Sequence, residues 1–150
     1  MDYWLMKSEP DVFGINDLNR QKRAVWDGVR NYQARNFLRA MKLGDLVFFY
    51  HSNTDVPGIV GLCRVSKTGV VDPTQFDHKS RYYDPGSSKD NPRWWTVEVE
   101  YLETFPKQIP LSTLRAKFSP AELRLVQKAN RLSVMPVAAA VAKKILALAK

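Results

Sequence analysis

Cysteine is almost missing from this chain: Cys63 stands alone among 150 residues, so no internal disulfide forms. Only two histidines, His51 and His78, accompany it, and the Cys/His sets of a structural zinc site are therefore lacking. Long apolar runs are lacking too. The longest strongly apolar one, Leu46 to Tyr50, falls far short of the roughly 20 residues of a membrane helix, and the opening MDYWLMKSEP has no basic-then-apolar leader pattern. These absences predict a soluble protein of a reducing, cytoplasmic compartment with no membrane attachment. No GxGxxG follows a strand pattern, and GxxxxGK[ST], GxSxG and HExxH do not occur, which argues against a dinucleotide fold, a P-loop, a hydrolase elbow and a zinc-protease helix. No metal and no cofactor are expected.

What is present is ordinary globular composition, 45% hydrophobic and 25% charged, in a length that suits one domain over residues 1–150. The net charge of +8 is unevenly placed. Residues 20–42 hold seven bases against Asp27 alone, and residues 115–150 hold eight against Glu122 alone, while the middle is near neutral. Two basic blocks of this kind suit a polyanion, because each phosphate neutralised releases counterions; a merely solubilising surface is the other reading.

Periodicity supplies the elements. Tyr3 to Lys7 reads as a strand, and Gly14 to Asn19 as a turn or short helix. From Asn31 to Met41, Ala34, Phe37, Leu38 and Met41 recur at i, i+3, i+4 and i+7 beside Arg35 and Arg39, which predicts a basic amphipathic helix. LVFFYH, 46–51, is apolar on both faces and predicts a central strand. Ile59 to Val65 continues the sheet, and Asp72 to Pro92 is the longest irregular segment. From Trp94 to Phe105 strict alternation puts Trp95, Val97 and Val99 on one face and Trp94 on the wetter one with Thr96, Glu98 and Glu100. Ser119-Pro120-Ala121-Glu122 is a capping box that predicts a helix of about two turns, and Pro136 opens a final helix striped by Val137, Val141, Ile145 and Leu148. Strands in the middle and helices at the flanks give an α+β domain: a small, mostly antiparallel, barrel-like sheet decorated by helices.

Several blocks together resemble one family. WLMKSEP at 4–10, FGIxDL at 13–18, WDGVRNYQARNFLR at 26–39, LGDLVFFYHSN at 43–53, PGIVG at 57–61, DPTQFD at 72–77, YYDP at 82–85 and RLSVMPV at 131–137 look like an EVE-domain protein. The resemblance covers nearly the whole chain. It implies the PUA-like fold shared with YTH and ASCH domains, and binding of nucleic acid with a modified base held in an aromatic pocket.

The residues support such a pocket on their own chemistry. A reader of a modified base stacks its flat face on a ring and hydrogen-bonds its polar edge. Trp26, set among Asp27, Gly28, Arg30 and Asn31, is the candidate platform, or else a core anchor. Asn31 is either an edge reader or the N-cap of the basic helix. Lys7 and Ser8 end the first strand with an ammonium and a hydroxyl, and the family resemblance puts that pair in the pocket. Tyr32, Arg35 and Asn36 follow on the helix, where Arg35 and Arg39 suit successive phosphates. The resemblance also puts the mouth of the pocket at His51, Ser52, Gly58 and Ile59, and Arg93 with Trp94 suits a backbone grip or a second stacked base. Tyr82 and Tyr83 are read as fastening the long loop.

An enzyme is the weaker expectation. His51 and Ser52 are neighbours at a strand end, where successive side chains face opposite ways, so they do not form a catalytic pair. Cys63 has no adjacent base to activate it. The sequence thus predicts a binding module, a monomer, for a modified or unpaired nucleobase of RNA or DNA. The alternatives are an ASCH-like nucleic-acid-processing enzyme using Asp27 and Lys7, and a small-metabolite or nucleotide binder.

Overall fold

The computed structural model describes all 150 residues. In chain order it contains β1 (Tyr3–Ser8), α1 (Pro10–Phe13), α2 (Ile15–Gln21), β2 (Arg23–Val25), α3 (Tyr32–Ala40), β3 (Leu46–His51), β4 (Gly58–Val71), β5 (Trp95–Pro110), α4 (Leu111–Lys117), β6 (Val134–Val137) and α5 (Ala139–Leu148). The strands form one sheet in the order β2-β5-β4-β3-β1-β6. β1 and β3 run parallel, in register from Tyr3 opposite Leu46 to Ser8 opposite His51, and every other pair is antiparallel. The fold is α+β as expected. The expected barrel, however, is an open mixed sheet, because its edge strands β2 and β6 do not pair with each other.

Apolar periodicity explains the central elements. Val47 to Tyr50 of β3 are all buried, flanked by β1 and β4, and α3 turns Ala34 and Leu38 inward. Where β3 begins, the buried Asp45 carboxylate accepts from Trp4 Nε1 at 2.9 Å and from the backbone N–H groups of Lys42 and Asp2. Burial pushes its pKa up, but those donors outweigh burial and hold it below the usual value. The parallel pair is thereby fixed at the end opposite the one where Ser8 and His51 lie.

Three local expectations are corrected. The Ser119 capping box forms both of its bonds, yet only a turn and a 3-10 segment, Arg124–Val126, follow. The buried residues there, Leu123 and Leu125, are spaced by two and give no helical stripe to pack. Pro136 lies in β6 opposite Trp4 and not in the last helix; β6 is an edge strand, where a missing N–H is tolerated. Trp94 is 6% exposed and not on a wet face, because the 72–92 loop folds over it and Asp84 accepts from its Nε1 at 2.7 Å.

Candidate functional site

A cleft of about 650 Å³ opens beside the edge strand β2. One wall comes from β2 and the segment after it, Ala24 to Arg30; the other comes from Lys7, Ser8 and Ser52 at the ends of β1 and β3, with Arg131 and Ser133 just before β6. Val12 and Phe13 of α1 lie between the walls.

Trp26 belongs both to the core and to the cleft. It is 7% exposed, and its indole packs edge-on against Phe49 (5.3 Å between centroids, 82°) and Phe13 (6.4 Å, 88°), while also lining the cavity. Its backbone is fixed from both sides: its N–H donates to Val97 O at 2.9 Å, and Thr96 Oγ1 donates to its carbonyl. Trp26 is thus a core residue that also forms part of the cleft lining.

Residues 28–30 are bolted to the long loop. The 1%-exposed Asp72 carboxylate accepts from Gly28 N at 2.8 Å, Arg30 Nη1 at 3.0 Å, Thr74 N at 2.8 Å and Thr74 Oγ1 at 2.6 Å. Arg30 donates further to Val29 O, Thr74 Oγ1 and, through Nε and Nη2, Tyr82 O. All five of its donors are engaged, so Arg30 shapes the cleft rather than gripping a ligand. Gly28 has φ 84°, and a Cβ there would come within 2.7 Å of the Tyr82 ring, which explains a glycine at this contact.

The charged groups with spare capacity are others. Lys7 forms no ion pair, lies 5.9 Å from the Tyr50 ring centre, and is held below the usual lysine pKa by burial. Asp27 is accessible as a residue, yet desolvation in the cleft, and then the nearby Asp72 charge, raise its pKa against the opposing pull of Arg30. Arg131, from the second basic block, stands at the cleft with no ion-pair partner.

Of the residues singled out in the sequence, the structure brings Lys7, Ser8, Trp26 and Ser52 to the cleft. Ser8 Oγ donates to Phe13 O at 2.6 Å and so helps hold α1. Asn31 caps α3, its side chain accepting from Ala34 N at 2.9 Å. Tyr32, Arg35, Asn36, Arg93 and Trp94 form a neighbouring cluster outside the cleft. Tyr32, 53% exposed, stacks on Trp94 at 4.9 Å; Arg35 lies 4.8 Å from the Tyr32 ring and donates to Asn36 Oδ1 and Arg93 O. The guanidinium of Arg30 lies 5.1 Å from the centre of the Trp94 ring and 5.8 Å from that of Tyr82, and so joins cluster to cleft. His51, Gly58 and Ile59 do not border the cleft as expected. His51 Nε2 accepts from Ile15 N at 3.1 Å, Ile59 is fully buried, and Gly58 is pressed against the carbonyl of Ile109 on β5.

Asp27, Arg30, Tyr82, Arg131 and Ser133 also line the cleft, though none of them is among the binding residues expected from the sequence. Long-range contacts set their positions, although Asp27 and Arg30 lie in the WDGVRN block and Arg131 and Ser133 in RLSVMPV.

Known proteins share this architecture. A Pseudomonas putida protein of known structure is 49% identical, covers 99% of both chains and superposes with a TM-score of 0.95. Human thymocyte nuclear protein 1, solved in complex with DNA containing 5-methylcytosine, is 42% identical over 100% of this chain and 98% of its own, with a TM-score of 0.91. The mouse thymocyte nuclear protein 1 is 46% identical over 91% of this chain and 68% of its own length. The sequence model of the EVE domain matches residues 2–148, so the chain, cleft included, belongs to the EVE-domain family.

Proposed function

We propose that this protein is a nucleic-acid-binding module that accepts a modified base, such as 5-methylcytosine, in the cleft beside Trp26. The observation that carries this reading is the cleft itself: an aromatic floor of Trp26 and Phe13, and a rim where Lys7 and Arg131 have no anionic partner. Similarity to a protein solved with 5-methylcytosine DNA supports it. The base stacks on the indole, its edge meets the polar groups of the wall, and the basic rim receives the flanking phosphates.

The test compares binding of an oligonucleotide containing 5-methylcytosine with that of its unmodified counterpart. Trp26→Ala is a poor probe, since removing a core-packed tryptophan costs about 3–5 kcal/mol of stability. Trp26→Phe keeps an aromatic ring but loses part of the stacking surface. Affinity for the modified oligonucleotide should fall by part of the roughly 1–3 kcal/mol of a stacked base, with the fold retained by circular dichroism. Unchanged affinity refutes the reading.

We propose a binding role rather than catalysis. His51 is committed to Ile15 and forms no triad with Ser52. The processing-enzyme alternative has one supporting observation, the raised Asp27 and lowered Lys7 in one cleft. Mass spectrometry of the oligonucleotide after prolonged incubation decides it: an unaltered base removes the alternative.

A further inference from the structure

Asp27 is the one cleft carboxylate without an engagement to another residue. Glu9, the other carboxylate there, accepts from Asn53 Nδ2 at 2.6 Å, whereas no other residue donates to the Asp27 carboxyl and no cation pairs with it. The nearby Arg30 has no donor to spare. The backbone on either side is fixed, by Trp26 N–H to Val97 O at 2.9 Å, Asp27 N–H to Val25 O at 3.0 Å and Gly28 N–H to Asp72 Oδ2 at 2.8 Å. The anchored loop thus presents, next to the indole wall, one carboxyl that no other residue engages, in the same cleft as the unpaired Lys7.

A stacked base places its polar edge against whatever stands beside the ring. An aspartate there accepts from an exocyclic amine. Cytosine carries one at N4. Thymine has the same 5-methyl group as 5-methylcytosine but presents O4 where the amine would be, and a carboxylate facing O4 is repelled.

Resting on the proposed base-binding role of the cleft, we infer that Asp27 is the specificity-determining residue that accepts the exocyclic amine of a cytosine-type base, and so distinguishes 5-methylcytosine from thymine. The distinction belongs to the ionised carboxylate, which accepts from the N4 amine and has nothing to donate to O4.

The experiment uses two single-stranded oligonucleotides identical except for one central 5-methylcytosine or thymine, titrated against the full chain and Asp27→Asn. The wild type should prefer 5-methylcytosine by roughly 5- to 150-fold. In Asp27→Asn that ratio should collapse towards one, because an amide offers a donor to O4 as readily as an acceptor to the amine. Equal wild-type binding of both, or an unchanged ratio in the variant, overturns the assignment of Asp27 and leaves the base-binding role standing. Failure of the wild type to bind either oligonucleotide overturns that role and this inference with it. Trp26→Phe is the internal control, lowering both affinities together and preserving their ratio.

Discussion

The carboxylate of Asp72 and the guanidinium of Arg30 meet at 3.0 Å, 42 residues apart in sequence, and join the segment after Trp26 to the long loop that covers Trp94. Asp72 is almost fully buried and Arg30 about one-fifth exposed. Asp72→Ala therefore strands a largely buried cation and two backbone donors. The expected loss is on the order of 2–3 kcal/mol, somewhat below the ~3–5 for a fully buried pair, because solvent reaches Arg30. Urea unfolding measures it, and a change within 0.5 kcal/mol, the usual range at ordinary surface sites, would show that the clamp is dispensable.

Gly58 is a packing position. A Cβ there collides with the Ile109 carbonyl, so Gly58→Ala should destabilise the protein by about 1–3 kcal/mol while leaving oligonucleotide affinity of the folded fraction unchanged. A variant of full stability and weakened binding would return Gly58 to the mouth of the site.

Stability should also depend on His51. Burial holds its imidazole below the usual 6.5, and Nε2 must stay unprotonated to accept from Ile15 N. Between the lowered folded pKa and 6.5 the unfolded chain binds more protons than the folded one. Stability therefore falls as pH drops through that window and levels off, for this group, below the folded pKa. Urea titrations at about pH 7.5 and about pH 5.5 should give a smaller loss for His51→Gln than for the wild type. An equal loss in both would assign the pH sensitivity to other groups.

Electrostatics at the rim is separable from base recognition. Lys7→Ala and Arg131→Ala should each reduce the slope of log affinity against log salt by roughly 0.7 to 0.9, for modified and unmodified oligonucleotides alike. Arg30→Lys should affect stability more than that slope, since its donors are already engaged within the protein. Slopes untouched by both rim variants would move phosphate contact elsewhere.

Short-range pattern made much of this legible. β1, α3 and β3 were readable because apolar spacing and punctuation agree there, and α3 begins where Asn31 caps it. Trp94 was misplaced because alternation describes a strand and is blind to a loop laid across it, and Gln75 organises that loop from 19 residues away by donating to Trp94 O and accepting from Trp94 N. Ser119 and Glu122 form their reciprocal bonds without a helix, since a cap does not supply the apolar stripe that propagation needs. In the cleft, Trp26 was recognisable by its polar neighbours. Arg131 and Tyr82 reach it only through tertiary folding.

Trp26 has two duties, and they restrict how this protein can change. A substitution that reshapes the indole surface for another ligand also loosens the packing with Phe13 and Phe49, so stability limits drift at that position. New preferences are more readily acquired, by evolution or by an engineer, at exposed neighbours such as Asp27 and Arg131, which the interior does not need.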